Sequence, residues 1–109
     1  MSEEINIFKV LDYIRDNAAA FAQAKANRVY LEEYKKSKKA ILMKSSGAKT
    51  SAAQEVEAYA HPEYLELLIA LKEAVIEEES LRWLLIAAQA KVECWRSLSA
   101  NARVEAKVL

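Results

Sequence analysis

Between Pro62 and the C-terminal Leu109 the chain carries neither glycine nor a second proline, so no residue in that stretch breaks a helix. At about 1.5 Å per residue, a helix from Pro62 to near Ala106 is roughly 65 Å long. A helix of that length implies a coiled-coil-like neighbour or a partner chain. The whole chain has a single Gly and a single Pro, too few for the tight turns of sandwiches and barrels or for a glycine-rich phosphate loop.

Composition sharpens this. Twenty of the 109 residues are alanine, the best helix former but one that buries little area. Without alanine, about a third of the chain remains to build a core, an ordinary supply at most. Strong local helicity with a modest core favours completing burial by dimerisation. One Cys excludes a disulfide framework, and one Cys with one His does not make a typical zinc site, so no metal or other cofactor is expected. No uncharged apolar run approaches about 18 residues, and no Arg-flanked apolar leader is present. We therefore expect no membrane partner and a reducing cytoplasmic location.

Local signals divide the chain into helices over about 3–45, 51–60 and 62–106, treated as one domain spanning 1–109. Ser2 with Glu3 and Glu4 suits a helix start, with acid where the helix dipole favours it. Apolar residues recur with three-four spacing at Ile7, Val10, Leu11, Ile14, Ala18, Phe21 and Ala24, one face of a helix. Asp16-Asn17 permits either a kink or an unbroken helix. The pattern resumes through Leu31, Tyr34, Ile41 and Leu42 and runs to Ser45-Ser46-Gly47, where Gly47 is the natural residue just past the helix end. Ser51 and Gln54 fit a capping box. Pro62 disfavours helical geometry at His61 and is well placed to open the next helix.

Two long helices joined by a short connector fold back as an antiparallel hairpin, so the fold class is all-α: a long antiparallel helical hairpin, coiled-coil-like, with a short connector helix. A register pairing residue numbers that sum to about 106 sets Leu31 near Val75, Phe21 near Leu85 and Leu11 near Trp95. It also sets Arg28 near Glu78. Either the two form a buried pair that fixes the register, or both side chains snorkel to the edge of a narrow seam, which is the blander and favoured reading. Trp83 and Trp95 lie twelve residues apart, so they do not share a face; one belongs to the seam and the other to a second surface. With Leu84, Ile86, Leu68 and Ile69, Trp83 makes the middle of the long helix apolar nearly all round, and such a helix needs cover on more than one side. A homodimer of two hairpins in a four-helix arrangement supplies that cover, with Trp83, Trp95, Leu84 and Leu68 as interface residues. The alternative is cover within one chain, from Ile5 to Ile14 and the connector helix.

The 16 cations and 16 carboxylates balance but are segregated. Lys35, Lys36, Lys38, Lys39, Lys44 and Lys49 form an acid-free cluster, a candidate DNA-phosphate contact with Tyr30 and Tyr34 upstream as stacking surfaces. The opposing reading is a solvated helix end neutralised by the acidic segment across the hairpin, and the cluster lacks Arg to grip phosphate bidentately. Glu73, Glu77, Glu78 and Glu79 form an acidic run suited to a basic partner, with Glu78 placed to support Arg82. His61 reads as a capping or turn residue in preference to a general base oriented by Glu57 or Glu66. Cys94 reads as a small packed side chain. Carboxylates at helical spacing, Glu63/Glu66 and Glu73/Glu77, lack the second His that a di-metal bundle uses. An enzyme is not expected.

From Tyr13 to Lys44, YIRDNAAAFAQAKANRVYLEEYKKSKKAILMK, and again through AYAHPEYLELLIALKEAVIEEESLRW and AAQAKVECWRS, the chain resembles a family of small phage and prophage proteins. The likeness is most specific in AKANRVYLEEYKKSKKA and AYAHPEYLELL. Members are encoded in phage recombination and replication regions, near annealing proteins and exonucleases. The resemblance implies an accessory in DNA recombination or replication inside a bacterial host, acting by DNA contact or by docking on a phage or host DNA-processing enzyme. It carries no catalytic residues over. A module that inhibits a host defence or repair nuclease through protein contact alone is the alternative.

Overall fold

The computed structural model describes residues 4–108, all-α, as α1 (Ile7–Lys44), α2 (Ser51–Ala60) and α3 (Pro62–Val108), with α1 and α3 packed antiparallel and α2 connecting them. No helix among the described residues is long and apolar enough to cross a membrane.

The helix ends differ from expectation in instructive ways. Ser2 and Glu3, expected in the opening turn of α1, lie outside the described residues, and Glu4 to Asn6 are not helical. Asn6 caps instead: its Oδ1 accepts from Lys9 N at 3.2 Å and its carbonyl from Val10 N at 3.1 Å, the arrangement that satisfies otherwise unbonded first-turn amides. At Asp16-Asn17 the helix is unbroken, and Asn17 Nδ2 donates back to the Tyr13 carbonyl at 2.8 Å. The expected left-handed Gly47 is corrected, since no described residue has a positive φ. α1 stops at Lys44 because Ser46 N bonds the Met43 carbonyl at 3.2 Å, while Ser45 Oγ takes the Ile41 and Leu42 carbonyls at 3.1 and 3.2 Å. Hydroxyls here do the work usually left to glycine.

The capping box centred on Ser51 is likewise corrected by one residue. Thr50 caps α2, its hydroxyl accepting from Ala53 N at 3.1 Å, and Gln54 Nε2 donates to the Ala48 carbonyl at 3.1 Å. His61 serves two helices. Its N–H closes α2 on the Ala58 carbonyl at 3.2 Å, and its Nδ1 accepts from Glu63 N at 3.0 Å to open α3. Its backbone is extended, as the following Pro62 demands.

The described residues fall into two compact units, and both long helices contribute to each. In residues 23–78 the second half of α1, α2 and the start of α3 enclose a small core of Leu42, Ala58 and Tyr64, with Met43 packed against it. Ala24 and Ala74 are also buried there. In the unit made of 1–22 and 79–109, Ile7, Val10, Ile14, Asn17 and Phe21 of α1 are half-buried, as are Leu81, Leu85 and Val92 of α3, while Ala88 is buried. The inward positions repeat every seven residues in alternating threes and fours: Tyr64, Leu67, Leu71, Ala74 and Glu78 in the first unit, Leu81, Leu85, Ala88 and Val92 in the second. That is the pattern of a coiled-coil seam, and alanines, Ala74 and Ala88, hold two of its four buried places, Tyr64 and Glu78 the others.

Candidate docking face and basic cleft

Arg28 and Glu78 meet. Arg28 Nε donates to Glu78 Oε2 at 2.6 Å and Nη2 to Oε1 at 2.9 Å, a bidentate clasp, while Nη1 reaches Glu32 at 3.1 Å. Glu78 is 6% exposed. The snorkelling reading is therefore corrected: a carboxylate at an inward seam position, one turn from the buried Ala74, cannot reach water, so the flexible guanidinium comes to it. Glu78 outweighs the cost of burial and raises the Arg28 pKa above its ordinary value.

The lysine cluster is partly answered by carboxylates in its own unit. Lys38 Nζ pairs with Glu63 at 2.9 Å, Lys39 Nζ with Glu55 at 2.9 Å and Lys36 Nζ with Glu33 at 3.3 Å. Tyr59 and then Glu55 raise the Lys39 pKa; Glu63 raises that of Lys38, and Lys38 in turn holds the Glu63 carboxyl below its usual value. Lys35 is half-buried, and Lys44 and Lys49 are exposed. Lys35, Lys36 and Lys39 line a shallow cleft of about 350 Å³ with Tyr59 and Tyr64. Tyr59 and Tyr64 meet edge to face at 5.3 Å, and the Lys39 ammonium sits 4.7 Å from the Tyr59 ring centre. These two tyrosines, not anticipated from the sequence, lie beside the lysines; Tyr30 and Tyr34 stack on each other at 5.9 Å, and Tyr34 is near enough to Lys38 to help raise its pKa. Only the sharp junction at His61-Pro62 brings residues five apart into contact, and that junction was the available signal.

The acidic run does not form one face. Glu78 is turned inward to Arg28, and Glu79 takes Arg82 Nη2 at 2.6 Å, leaving Glu73 and Glu77 exposed. The Arg82 guanidinium then lies 5.0 Å from the Trp83 ring centre, a cation–π contact that steadies an otherwise uncovered indole.

Trp83 is 59% exposed and Leu84 53%, while Leu68 and Trp95 are each a little over a third exposed. Trp95 falls where the seam pattern places its next inward residue; Trp83 points away from the seam. Among the described residues, Ile5 to Ile14 and the connector helix therefore do not cover Trp83. Ile69, Ile76 and Trp83 follow one another at seven-residue intervals along α3, with Leu65 and Ile86 beside them, and all of them are exposed. Cys94, expected to pack, is exposed as well, because it falls on this outward face. A groove of about 340 Å³ in the unit containing 79–109 runs between Val10 and Tyr13 on one side and Leu84, Ala87 and Ala88 on the other, with Lys9 and Lys91 at its rim.

No family model, no curated protein and no solved structure matches this chain.

Proposed function

We propose that this protein is a non-enzymatic accessory that pairs with a second copy of itself through the outward apolar face of α3 and, as that pair, docks on a DNA-processing enzyme. The DNA recombination or replication setting comes from the resemblance to small phage proteins. The observation that carries the docking reading is the exposure of Trp83, Ile69 and Ile76 on the side of α3 opposite its seam. Exposed aromatic and aliphatic side chains at helical spacing are what partner helices bury. Direct phosphate contact is the weaker version, since Lys36, Lys38 and Lys39 already hold Glu33, Glu63 and Glu55. A phosphate would have to displace those carboxylates. The nuclease-inhibitor alternative loses its acidic face in the same way, because Glu78 and Glu79 are engaged by Arg28 and Arg82.

Sedimentation of the purified protein, alone and with single- and double-stranded oligonucleotides at 50 and 200 mM salt, tests the reading (salt spans of about this size separate phosphate contact from apolar docking). The expected result is concentration-dependent self-association with no salt-sensitive co-sedimentation. Tight oligonucleotide binding that weakens steeply with salt would replace docking by phosphate contact through the Lys35–Lys39 cleft. A monomer at every concentration would remove the second copy from the proposal.

A further inference from the structure

Resting on that self-association, we propose that the groove between Val10 and Leu84 receives a second copy of the chain, namely the Leu65–Glu77 stretch of that copy's α3.

The groove lies wholly within the unit made of 1–22 and 79–109. Val10 and Tyr13 wall it on α1, Leu84 and Ala88 on α3, and it holds about 340 Å³. Past Lys9 and Lys91 it continues into a second hollow of about 350 Å³ that reaches Ile5 and Asn6. An apolar channel between two helices is the kind of surface that a third, amphipathic helix covers. The small side chains of Ala87 and Ala88 keep the α3 wall low, so that helix can approach closely. Leu84 stands one residue, about 100°, round the helix from Trp83. The groove is therefore a separate surface beside the outward face.

Charge selects the occupant. Lys9 and Lys91 stand at the rim, and neither ammonium has a partner among the described residues. Arg15, Arg82 and Arg96 of the same unit each hold a carboxylate instead. Two unanswered cations beside an apolar channel suit an apolar stripe edged by carboxylates. The unit of residues 23–78 carries such a stripe. Leu65, Ile69 and Ile76 are exposed on one side of α3, and by helical spacing Glu66, Glu73 and Glu77 follow one edge of it. All three carboxylates are exposed. Glu73 and Glu77 enter no ion pair or hydrogen bond among the described residues, and Glu66 acts only at a distance, on Lys38. Lys72 is the one cation on the stripe, and Glu4 is the one carboxylate lining the groove, so the minor charges are opposite in sign as well.

Length agrees with charge. Ile69 and Ile76 are seven residues apart, as are Leu84 and Lys91, so each pair spans about 10 Å along its helix. Both aliphatic anchors fit within one groove length, with the acidic edge alongside the lysines.

The test is sedimentation of the full-length wild type, of Lys9→Glu/Lys91→Glu, of Glu73→Lys/Glu77→Lys and of an equimolar mixture of the two variants, with helicity followed by circular dichroism. All four positions are exposed, so the fold tolerates the exchanges. Each variant alone sets like charges across the contact and should associate about tenfold more weakly than wild type. In the mixed pair every groove again meets a stripe of opposite sign, so wild-type strength returns. Leu84→Ser, which removes part of an apolar wall, should weaken association and not recover on mixing with either charge variant. Wild-type association in either charge variant, or a mixture no stronger than its components, overturns a second copy as the occupant of the groove while leaving self-association standing. A wild-type monomer at all concentrations overturns the underlying self-association as well.

Discussion

Replacing Leu42 with Ala tests whether the small Leu42–Ala58–Tyr64 core is what docks α2. Leu42 is 6% exposed and Ala58 1%, so the side chain is removed from an almost dry contact. Losing two to three buried methylene equivalents costs about 2 kcal/mol of transfer free energy. The cavity left behind adds to this, though Met43, flexible and packed against the cluster, can move part-way in. The expected total is about 3 kcal/mol, a large share of the roughly 5–15 kcal/mol that stabilises a domain. At ten residues, α2 is too short to stay helical without its dock. Urea unfolding at two protein concentrations, which separates folding from self-association, measures the global effect. Amide hydrogen exchange over Ala53–Ala60 measures the local one, expected to quicken about a hundredfold. A destabilisation under about 1 kcal/mol, or α2 amides that keep their wild-type protection, would refute the assignment of this cluster as the anchor of α2.

Three further outcomes follow from contacts described above. Arg28→Met, which strips the buried Glu78 of its guanidinium, should destabilise more than the double replacement Arg28→Met/Glu78→Leu in urea unfolding; equal losses would show that the pair is not coupled. Thr50→Ala should cost about 1 kcal/mol in the same assay while Ser51→Ala is near neutral, because Thr50 carries the cap; the reverse ranking would restore the capping box. The Lys38 and Lys39 pKa values are raised in the folded state, so their stabilisation is complete below about pH 10 and lost as pH rises through the folded values. Glu63 is lowered, so its smaller contribution is present above about pH 4.3 and lost as pH falls through its folded value. Melting temperature should be level between those limits, with Glu63→Gln flattening the acid limb; an acid limb identical to wild type would refute the Lys38–Glu63 pairing.

Patterns that depend on the chain's own periodicity were readable in advance. The absence of any breaker after Pro62, the three-four spacing of Ile7 to Phe21 and the restriction that Pro62 places on His61 are local facts, and three helices with antiparallel long members follow from them. The Arg28–Glu78 level was also readable, but not its outcome, because that turned on whether the Glu78 carboxylate reaches water. Cap identity escaped for a related reason. Asn6, Thr50 and Ser45 compete with Ser2, Ser51 and Gly47 for the same orphan backbone groups, and a shift of a few residues costs too little for composition to rank them. The Tyr59–Tyr64 contact needed the direction of the chain through a non-helical residue, which no periodicity encodes.

The distribution of side-chain size ties these observations to the docking proposal. Four of the seven buried residues among those described are alanine, namely Ala24, Ala58, Ala74 and Ala88, whereas Trp83, Ile69, Ile76 and Phe8 are exposed. Small residues in a seam let backbones approach closely, and twenty alanines supply helical propensity without help from a core. Each buried alanine, however, removes little apolar area from water, so such a seam yields a correspondingly small hydrophobic gain. A chain selected only to fold alone would place its Trp and Ile inward and its Ala outward. The inverse arrangement makes sense when the seam sets the helices and the outward side chains do their stabilising against another molecule. Exchanging the two sets tests the logic: filling the seam with larger residues should strengthen a monomer's fold only if the backbones can move apart, and overpacking should cost about 1–3 kcal/mol at Ala74 or Ala88 if they cannot.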